Sequence, residues 1–148
     1  MGAVRTSIEI AASPEEVWKV IMDPHRLDDW VTIHRKLGAV SDDPLRDGSS
    51  MEQTLCVHGV HFKVKWQVVE LEAPRLAVMA GRGPAHSSAS IRDELTAVNG
   101  GTRFDYTNEF KAPMGPLGSA ATRLLVGGAS EREANASLRK LKDLVERH

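Results

Sequence analysis

The sequence lacks the features that mark secreted, membrane or nucleic-acid-binding proteins. Among its 148 residues Cys56 is the single cysteine, so no disulfide can form within the chain and we expect a cytoplasmic protein. Its 19 basic and 20 acidic residues leave a net charge of −1, which argues against a nucleic-acid partner. No apolar run approaches the ~18 residues of a membrane span, and the N-terminus has no signal-peptide pattern. We therefore predict no membrane insertion, and one domain over residues 1–148 because no linker or repeat divides the chain.

Motifs for nucleophilic, phosphate or metal chemistry are also missing. There is no Gly-x-Ser-x-Gly sequence, and Gly81-Arg82-Gly83 lacks the lysine and the strand-to-helix context of a phosphate loop. His58 and His61 flank a predicted hairpin turn, but a metal site needs at least a third converging ligand. We predict neither a metal nor a cofactor.

The first thirty residues predict a strand followed by two short helices. Val4 to Ala11 alternates between apolar and polar residues, as a half-buried strand does. Ser13 is placed to cap a helix that begins at Pro14 and runs to about Met22, with Glu16 completing a capping box. Asp23-Pro24 ends that helix, and 25–30 predicts a second short one.

The middle of the chain predicts antiparallel strands. After a strand at Ile33 to Val40, Met51 to Val57 and Val60 to Leu71 alternate on either side of a two-residue turn, which sets Leu55 opposite Phe62 and Met51 opposite Trp66. Further strands are predicted at 76–81, 86–98 and 102–110. The turn before the last strand would set Leu95 opposite Phe104 and Asp93 opposite Tyr106.

From Pro116 to Arg147 the spacing becomes helical. A stripe of small and apolar residues recurs at three- and four-residue intervals and includes Leu124, Leu138 and Leu141. This single long helix has to cover one face of the sheet, because no other segment of the chain can.

Four local sequences, in order, resemble a known superfamily over essentially the full chain. They are the run Ser13–Trp18, the tryptophan at Trp30, the turn Gly100–Arg103 and the helix ending Leu138–Glu146. The chain resembles the START and birch-allergen (SRPBCC) superfamily, in its polyketide cyclase/dehydrase and lipid-transport branch. The resemblance implies an α+β helix-grip fold. It comprises a curved antiparallel sheet of about six to seven strands, two short helices after the first strand, and a long C-terminal helix packed across the concave face.

The predicted inward face carries both aromatic and polar side chains. The aromatic ones are Phe62, Trp66, Phe104, Tyr106 and Phe110, and the polar ones include Gln53, Asp93 and Asn108. An unpaired buried polar group costs roughly 1–3 kcal/mol, so these residues pair with each other, meet water or await a ligand. One alternative is a plain core for the aromatics. Another is a slipped register that turns Asp93 outward and Arg92 and Glu94 inward.

A cavity between sheet and helix is therefore the predicted site. The predicted ligand-binding residues are Trp30, His34, Gln53, Phe62, Trp66, Phe104, Tyr106, Asn108 and Leu124. If the site is catalytic, Asp93 would act as base, and Tyr106 would donate to a carbonyl or enolate during cyclisation or dehydration.

Three functions remain open at this point. The first is binding or carriage of an apolar small molecule such as a lipid, polyketide or quinone. The second is a polyketide cyclase/dehydratase-like enzyme. The third is a regulatory or toxin-like protein, because Trp30–Arg35 resembles an actinobacterial subgroup named as toxins of toxin–antitoxin pairs. The expected partner is an apolar small molecule, and exposed edge strands permit a homodimer.

Overall fold

The computed structural model describes residues 2–57, 59–111 and 128–147. Within them lie the strands β1 (Gly2–Ile10), β2 (His34–Val40), β3 (Ser50–Val57), β4 (Val60–Glu72), β5 (Leu76–Arg82), β6 (Ser88–Val98) and β7 (Gly101–Lys111). The helices are α1 (Pro14–Ile21), α2 (Leu27–Trp30) and α3 (Gly128–Glu146), and short 3-10 turns occupy Pro24–Arg26 and Pro84–His86.

The strands form one antiparallel sheet in the order β1-β7-β6-β5-β4-β3-β2. The two short helices follow β1, and α3 packs against β1 and α2. The predicted helix-grip fold is confirmed. Residues 116–127 of the predicted terminal helix, Leu124 among them, lie outside the described residues.

The first helix begins where the capping residues predict. Ser13 accepts a hydrogen bond from the Glu16 backbone N–H and stands in extended conformation, with Pro14 in the first turn. Such caps satisfy N–H groups that have no partner inside the helix. The apolar side of α1, formed by Val17, Val20 and Ile21, is buried.

Both hairpin registers follow the predicted pairing. Leu55 lies opposite Phe62 and Met51 opposite Trp66, while on the β6–β7 hairpin Leu95 faces Phe104 and Asp93 faces Tyr106. The second turn has positive φ at both central positions, 42° at Asn99 and 81° at Gly100. Turns of this kind match the twist of the strands that they join and favour Asn-Gly.

The strand ends and irregularities differ from the predictions. β6 starts at Ser88 rather than at residue 86, because Pro84–His86 forms a 3-10 turn in which Ala85 and His86 both have positive φ. The register shifts between Val68 and Glu70 on β4 and at two places along β2. Alternation alone does not reveal such bulges, since each adds one residue to a strand.

Helix α3 is fastened to the edge strand by its last turns. Lys142 donates to the backbone oxygen of Glu9 at 2.9 Å, and the Glu146 carboxylate accepts from the backbone N–H of Ala11 at 2.7 Å. Within the described residues, no helix combines the length and the apolar character needed to cross a bilayer.

Candidate functional site

The concave face of the sheet is divided into a packed half and an open half. At one end Ile10, Leu95 and Phe104 are fully buried, beneath α1 and the apolar side of α3. Toward the other end of the same strands, the inward residues Val4 and Asn108 remain half-buried. Among the described residues, the helices therefore pack more tightly against the first end of the sheet than against the second.

A cavity of about 190 Å³ occupies the open half. Every strand except β2 contributes to its wall, and α1, α2 and α3 cover it. Most of the lining side chains are aliphatic. Its aromatic lining residues are Trp30, Phe62, Trp66, Tyr106 and Phe110, and its polar ones include Gln53, Asp93, Asn108, Glu133 and Ser137.

Three side chains form a chain of hydrogen bonds in the β3–β4 wall. The Trp66 indole N–H donates to Gln53 Oε1 at 2.9 Å, and Gln53 Nε2 lies 2.9 Å from His34 Nδ1. Since an indole nitrogen only donates, the amide orientation of Gln53 is fixed and its nitrogen must donate to His34. His34 is therefore neutral, with its proton on Nε2. Burial lowers its pKa, against the raising effect of Asp28.

The position of Trp66 depends on Gly81, its cross-strand neighbour on β5. A Cβ atom at Gly81 would stand 2.6 Å from two carbons of the indole ring and 2.9 Å from a methyl carbon of Val64. The glycine gives the ring room to lie against the strand. This close approach keeps the indole in the cavity wall.

Asp93 and Tyr106 are paired across β6 and β7, and both line the cavity. Asp93 is 4% exposed, and burial raises the pKa of its carboxyl to about 7. Burial also raises the pKa of Tyr106, and the charge of Asp93 raises it further, against the lowering effect of the neighbouring Asn108 amide. Tyr106 therefore stays protonated at neutral pH, and Asp93 exchanges its proton within the physiological range.

Side chains of α3 close the cavity beside the segment that joins α2 to β2. Thr32 Oγ1 donates to Glu133 Oε2 at 2.6 Å, and the Thr32 backbone N–H donates to Ser137 Oγ at 3.0 Å. Val31 and Ile33, on either side of Thr32, line the cavity. These bonds fasten one rim of the cavity to the helix.

The structure places most of the predicted site residues on one surface. Trp30, Gln53, Phe62, Trp66, Asp93, Tyr106 and Asn108 all line the cavity.

Two predicted ligand-binding residues do not line it. His34 lies behind Gln53, to which it is hydrogen-bonded. Phe104 is 0% exposed because it belongs to the packed half, and its ring meets Tyr106 edge to face with 6.4 Å between centroids. It therefore borders the cavity wall by packing beside Tyr106. Leu124 lies outside the described residues.

Four residues that line the cavity are absent from the predicted site, and they are Val4, Ile91, Glu133 and Ser137. Val4 lies opposite Asn108 on β1, and Ile91 precedes Asp93 by two residues on β6, so alternation carried a signal for both. Glu133 and Ser137 gave no such signal, because their role depends on how α3 meets the α2–β2 segment. In the part of the chain that the structure describes, no cluster of three or more His, Cys, Asp or Glu side chains is arranged to hold a metal ion.

Comparison with known families agrees with this geometry. The family described as polyketide cyclase/dehydrase and lipid transport matches residues 1–146. The chain belongs to this family. The sequence resemblance to the SRPBCC superfamily is thereby confirmed. The polyketide cyclase/dehydrase and lipid transport family, together with the helix-grip fold, supports a role in binding hydrophobic ligands.

Two curated relatives come from Mycobacterium tuberculosis. An uncharacterized protein, Rv1546, is 26% identical over 129 residues, covering 86% of this chain and 90% of its own. A protein named Toxin Rv0910 is 24% identical over 140 residues, covering 93% of this chain and 94% of its own. The predicted similarity to toxin-named proteins is confirmed at this level of identity.

Solved structures support the fold. The crystal structure of TTHA0849 from Thermus thermophilus superposes with a TM-score of 0.74 at 18% identity, covering 97% of each chain. At 18% identity this similarity shows a shared fold and does not identify a ligand. The ligand has to be inferred from the cavity of this protein.

Proposed function

We propose that this protein binds a small apolar molecule in the cavity between the sheet and α3. The observation that supports the proposal most is the cavity of about 190 Å³, which is walled by aliphatic and aromatic side chains. An apolar cavity of about 150 Å³ is already large enough to bind benzene. A ligand that fills the space contributes about 25 cal/mol for each Å² of apolar surface removed from water.

The half-buried state of the lining side chains supports the same proposal. Phe62 and Ile91 point inward from central strands, yet neither is fully buried. In a packed core their surface would be covered by neighbouring side chains, as it is around Phe104. The surface left uncovered is therefore available to an apolar ligand.

Calorimetric titration with naphthalene tests the proposal. We expect saturable binding with a dissociation constant of roughly 100 μM or below. Ala89→Phe should abolish this binding because Ala89 lines the cavity, whereas Ala80→Phe, on the exposed face of neighbouring β5, should leave it unchanged. Failure of the wild-type protein to bind naphthalene, or equal binding by both variants, would contradict the proposal.

A second candidate function, acid–base catalysis, is favoured by the pairing of Asp93 and Tyr106. A carboxyl group with a pKa of about 7 suits a general base at neutral pH. The carboxylate of Asp93 would remove a proton from carbon next to a ligand carbonyl, and the Tyr106 hydroxyl would hydrogen-bond the resulting enolate oxygen. Return of that proton to another carbon of the ligand would complete an isomerisation. In a cyclisation the enolate carbon would instead bond to a second carbonyl carbon, and the proton would go to the oxygen of that carbonyl. In a dehydration the proton would go to the departing hydroxyl group, which leaves as water.

Exchange of solvent deuterium into 2-tetralone distinguishes the enzyme from the binding protein. An enzyme should accelerate exchange at the carbon next to the carbonyl, and Asp93→Asn should reduce that rate by about 100-fold. If wild-type and Asp93→Asn proteins bind 2-tetralone equally and neither accelerates exchange, catalysis by Asp93 is excluded and binding alone is retained.

A further inference from the structure

Three buried polar atoms of the described residues have no hydrogen-bond partner. They are Trp30 Nε1, Asp93 Oδ1 and Asn108 Oδ1, and all three residues line the same cavity. Buried polar groups in proteins are nearly always paired, since an unpaired one loses its bonds to water without replacement. Because the three residues line one cavity, a ligand bound there could supply the missing hydrogen bonds.

The two unpaired oxygens lie side by side on the wall formed by β6 and β7. Asp93 is opposite Tyr106, and Asn108 follows Tyr106 by two residues, so both face the cavity from diagonal positions. Diagonal neighbours on one face of adjacent strands are about 7–8 Å apart at their backbones, within reach of one ligand group. Gln53 differs from both because Trp66 and His34 already satisfy its side chain.

The charged residues of the cavity lining indicate the charge of the ligand. The described lining contains the carboxyl groups of Asp93 and Glu133 and no lysine, arginine or histidine. An anionic ligand such as a fatty acid would lose its hydration there and find no cation to pair with. A neutral ligand group that donates a hydrogen bond can pair with one of the two unpaired oxygens. A ligand group that accepts a hydrogen bond can pair with the Trp30 N–H.

We propose that the ligand of this cavity is a neutral apolar molecule that carries a hydroxyl group, and that this group docks between Asp93 and Asn108. The hydroxyl donates to an oxygen of the pair, and the apolar body occupies the space toward Phe62 and Met79. A second oxygen on the ligand, or the hydroxyl itself, accepts from Trp30. This inference rests on the proposed function and adds to it the chemical class of the ligand.

Three probes that share one ring system test the inference by calorimetry. We expect 2-naphthol to bind at least about tenfold more tightly than naphthalene, because its hydroxyl completes a buried acceptor. The anion 2-naphthoate should bind more weakly than naphthalene. Tighter or equal binding of 2-naphthoate relative to 2-naphthol would overturn the inference, as would equal binding of naphthalene and 2-naphthol.

Asn108→Leu supplies the matched variant, since it removes the amide while conserving most of the side-chain volume. It should reduce the preference for 2-naphthol over naphthalene severalfold, measured as the ratio of the two dissociation constants. An unchanged preference would place the hydroxyl elsewhere and contradict the inference. If no probe binds the wild-type protein, the proposed function itself fails. If naphthalene and 2-naphthol bind alike, only the assignment of the hydroxyl fails.

Discussion

Trp66 donates its indole N–H to the side-chain oxygen of Gln53 over 2.9 Å. The bond lies in the cavity wall, and it turns the amide nitrogen of Gln53 toward His34. Gln53 is one of the polar residues that the sequence placed on an otherwise apolar face. Its two partners explain how the fold accommodates a polar side chain there without a ligand.

Removal of the Gln53 amide should therefore destabilise the protein. Gln53→Leu leaves the Trp66 N–H and His34 Nδ1 without partners, and we expect a loss of about 1–3 kcal/mol in the free energy of unfolding. Gln67→Leu on the exposed face of β4 is the matched control and should change stability by less than about 0.5 kcal/mol. Urea denaturation measures both variants, and equal effects would show that the hydrogen-bond chain has no structural importance.

The same chain makes the protein sensitive to acid at His34. Protonation would turn Nδ1 into a donor facing the donating nitrogen of Gln53, and burial already lowers the pKa of His34. Because the folded-state pKa lies below the ordinary value of about 6.5, stability from this residue is present above that pH and is lost as the pH falls toward the folded-state pKa.

His34→Gln should lose less stability between pH 7.5 and pH 5 than the wild-type protein does. Substitution of the exposed His61 by Gln serves as the control and should follow the wild-type profile. Denaturation at the two pH values measures the difference. A His34→Gln profile that parallels the wild type would remove His34 as the origin of any acid sensitivity.

The sequence contained enough to fix the pairing of strands but too little to locate the edge of the cavity. Two-residue turns and alternation determine that Phe104 and Tyr106 share the inward face of β7, and the structure confirms this. Which of them is packed depends on where α1 and α3 cross the sheet. The position at which a helix crosses the sheet does not change the alternation of apolar and polar residues along a strand. Alternation therefore predicts Phe104 as a ligand-binding residue, although the structure places it in the core.

Any side chain added at Gly81 should destabilise the protein, because it would clash with the Trp66 indole ring. Gly81→Ala places a methyl group 2.6 Å from the indole ring, and we expect a loss of about 1–3 kcal/mol in stability through overpacking. The added cost of Gly81→Ala should be smaller in a Trp66→Leu background, since the clashing ring is then absent. A double-mutant cycle of denaturation midpoints measures the coupling, and additive effects would contradict the proposed contact.

Asp93 should make the protein less stable as the pH rises. The pKa of Asp93 is raised from 3.8 to about 7 by burial, so the folded state retains a proton that the unfolded state has released. The resulting stability is complete below about pH 4 and is lost between about pH 4 and pH 7.

Asp93→Asn should remove this dependence. Relative to the wild type, the variant should gain up to about 4 kcal/mol in free energy of unfolding between pH 4 and pH 8. Asp47→Asn, at an exposed position, should show no such gain. Parallel pH profiles for wild-type and Asp93→Asn proteins would mean that Asp93 is not buried as an unpaired carboxyl.

The indole N–H signals of the three tryptophans provide the most direct measurement of ligand binding in the cavity. Trp30 and Trp66 line the cavity, whereas Trp18, half-buried on α1, does not. During a titration with naphthalene followed by two-dimensional nitrogen–proton NMR, the signals of Trp30 and Trp66 should shift together and saturate, while that of Trp18 stays in place. Binding within this cavity would be contradicted if Trp30 and Trp66 remained unmoved, or if all three signals drifted equally without saturation.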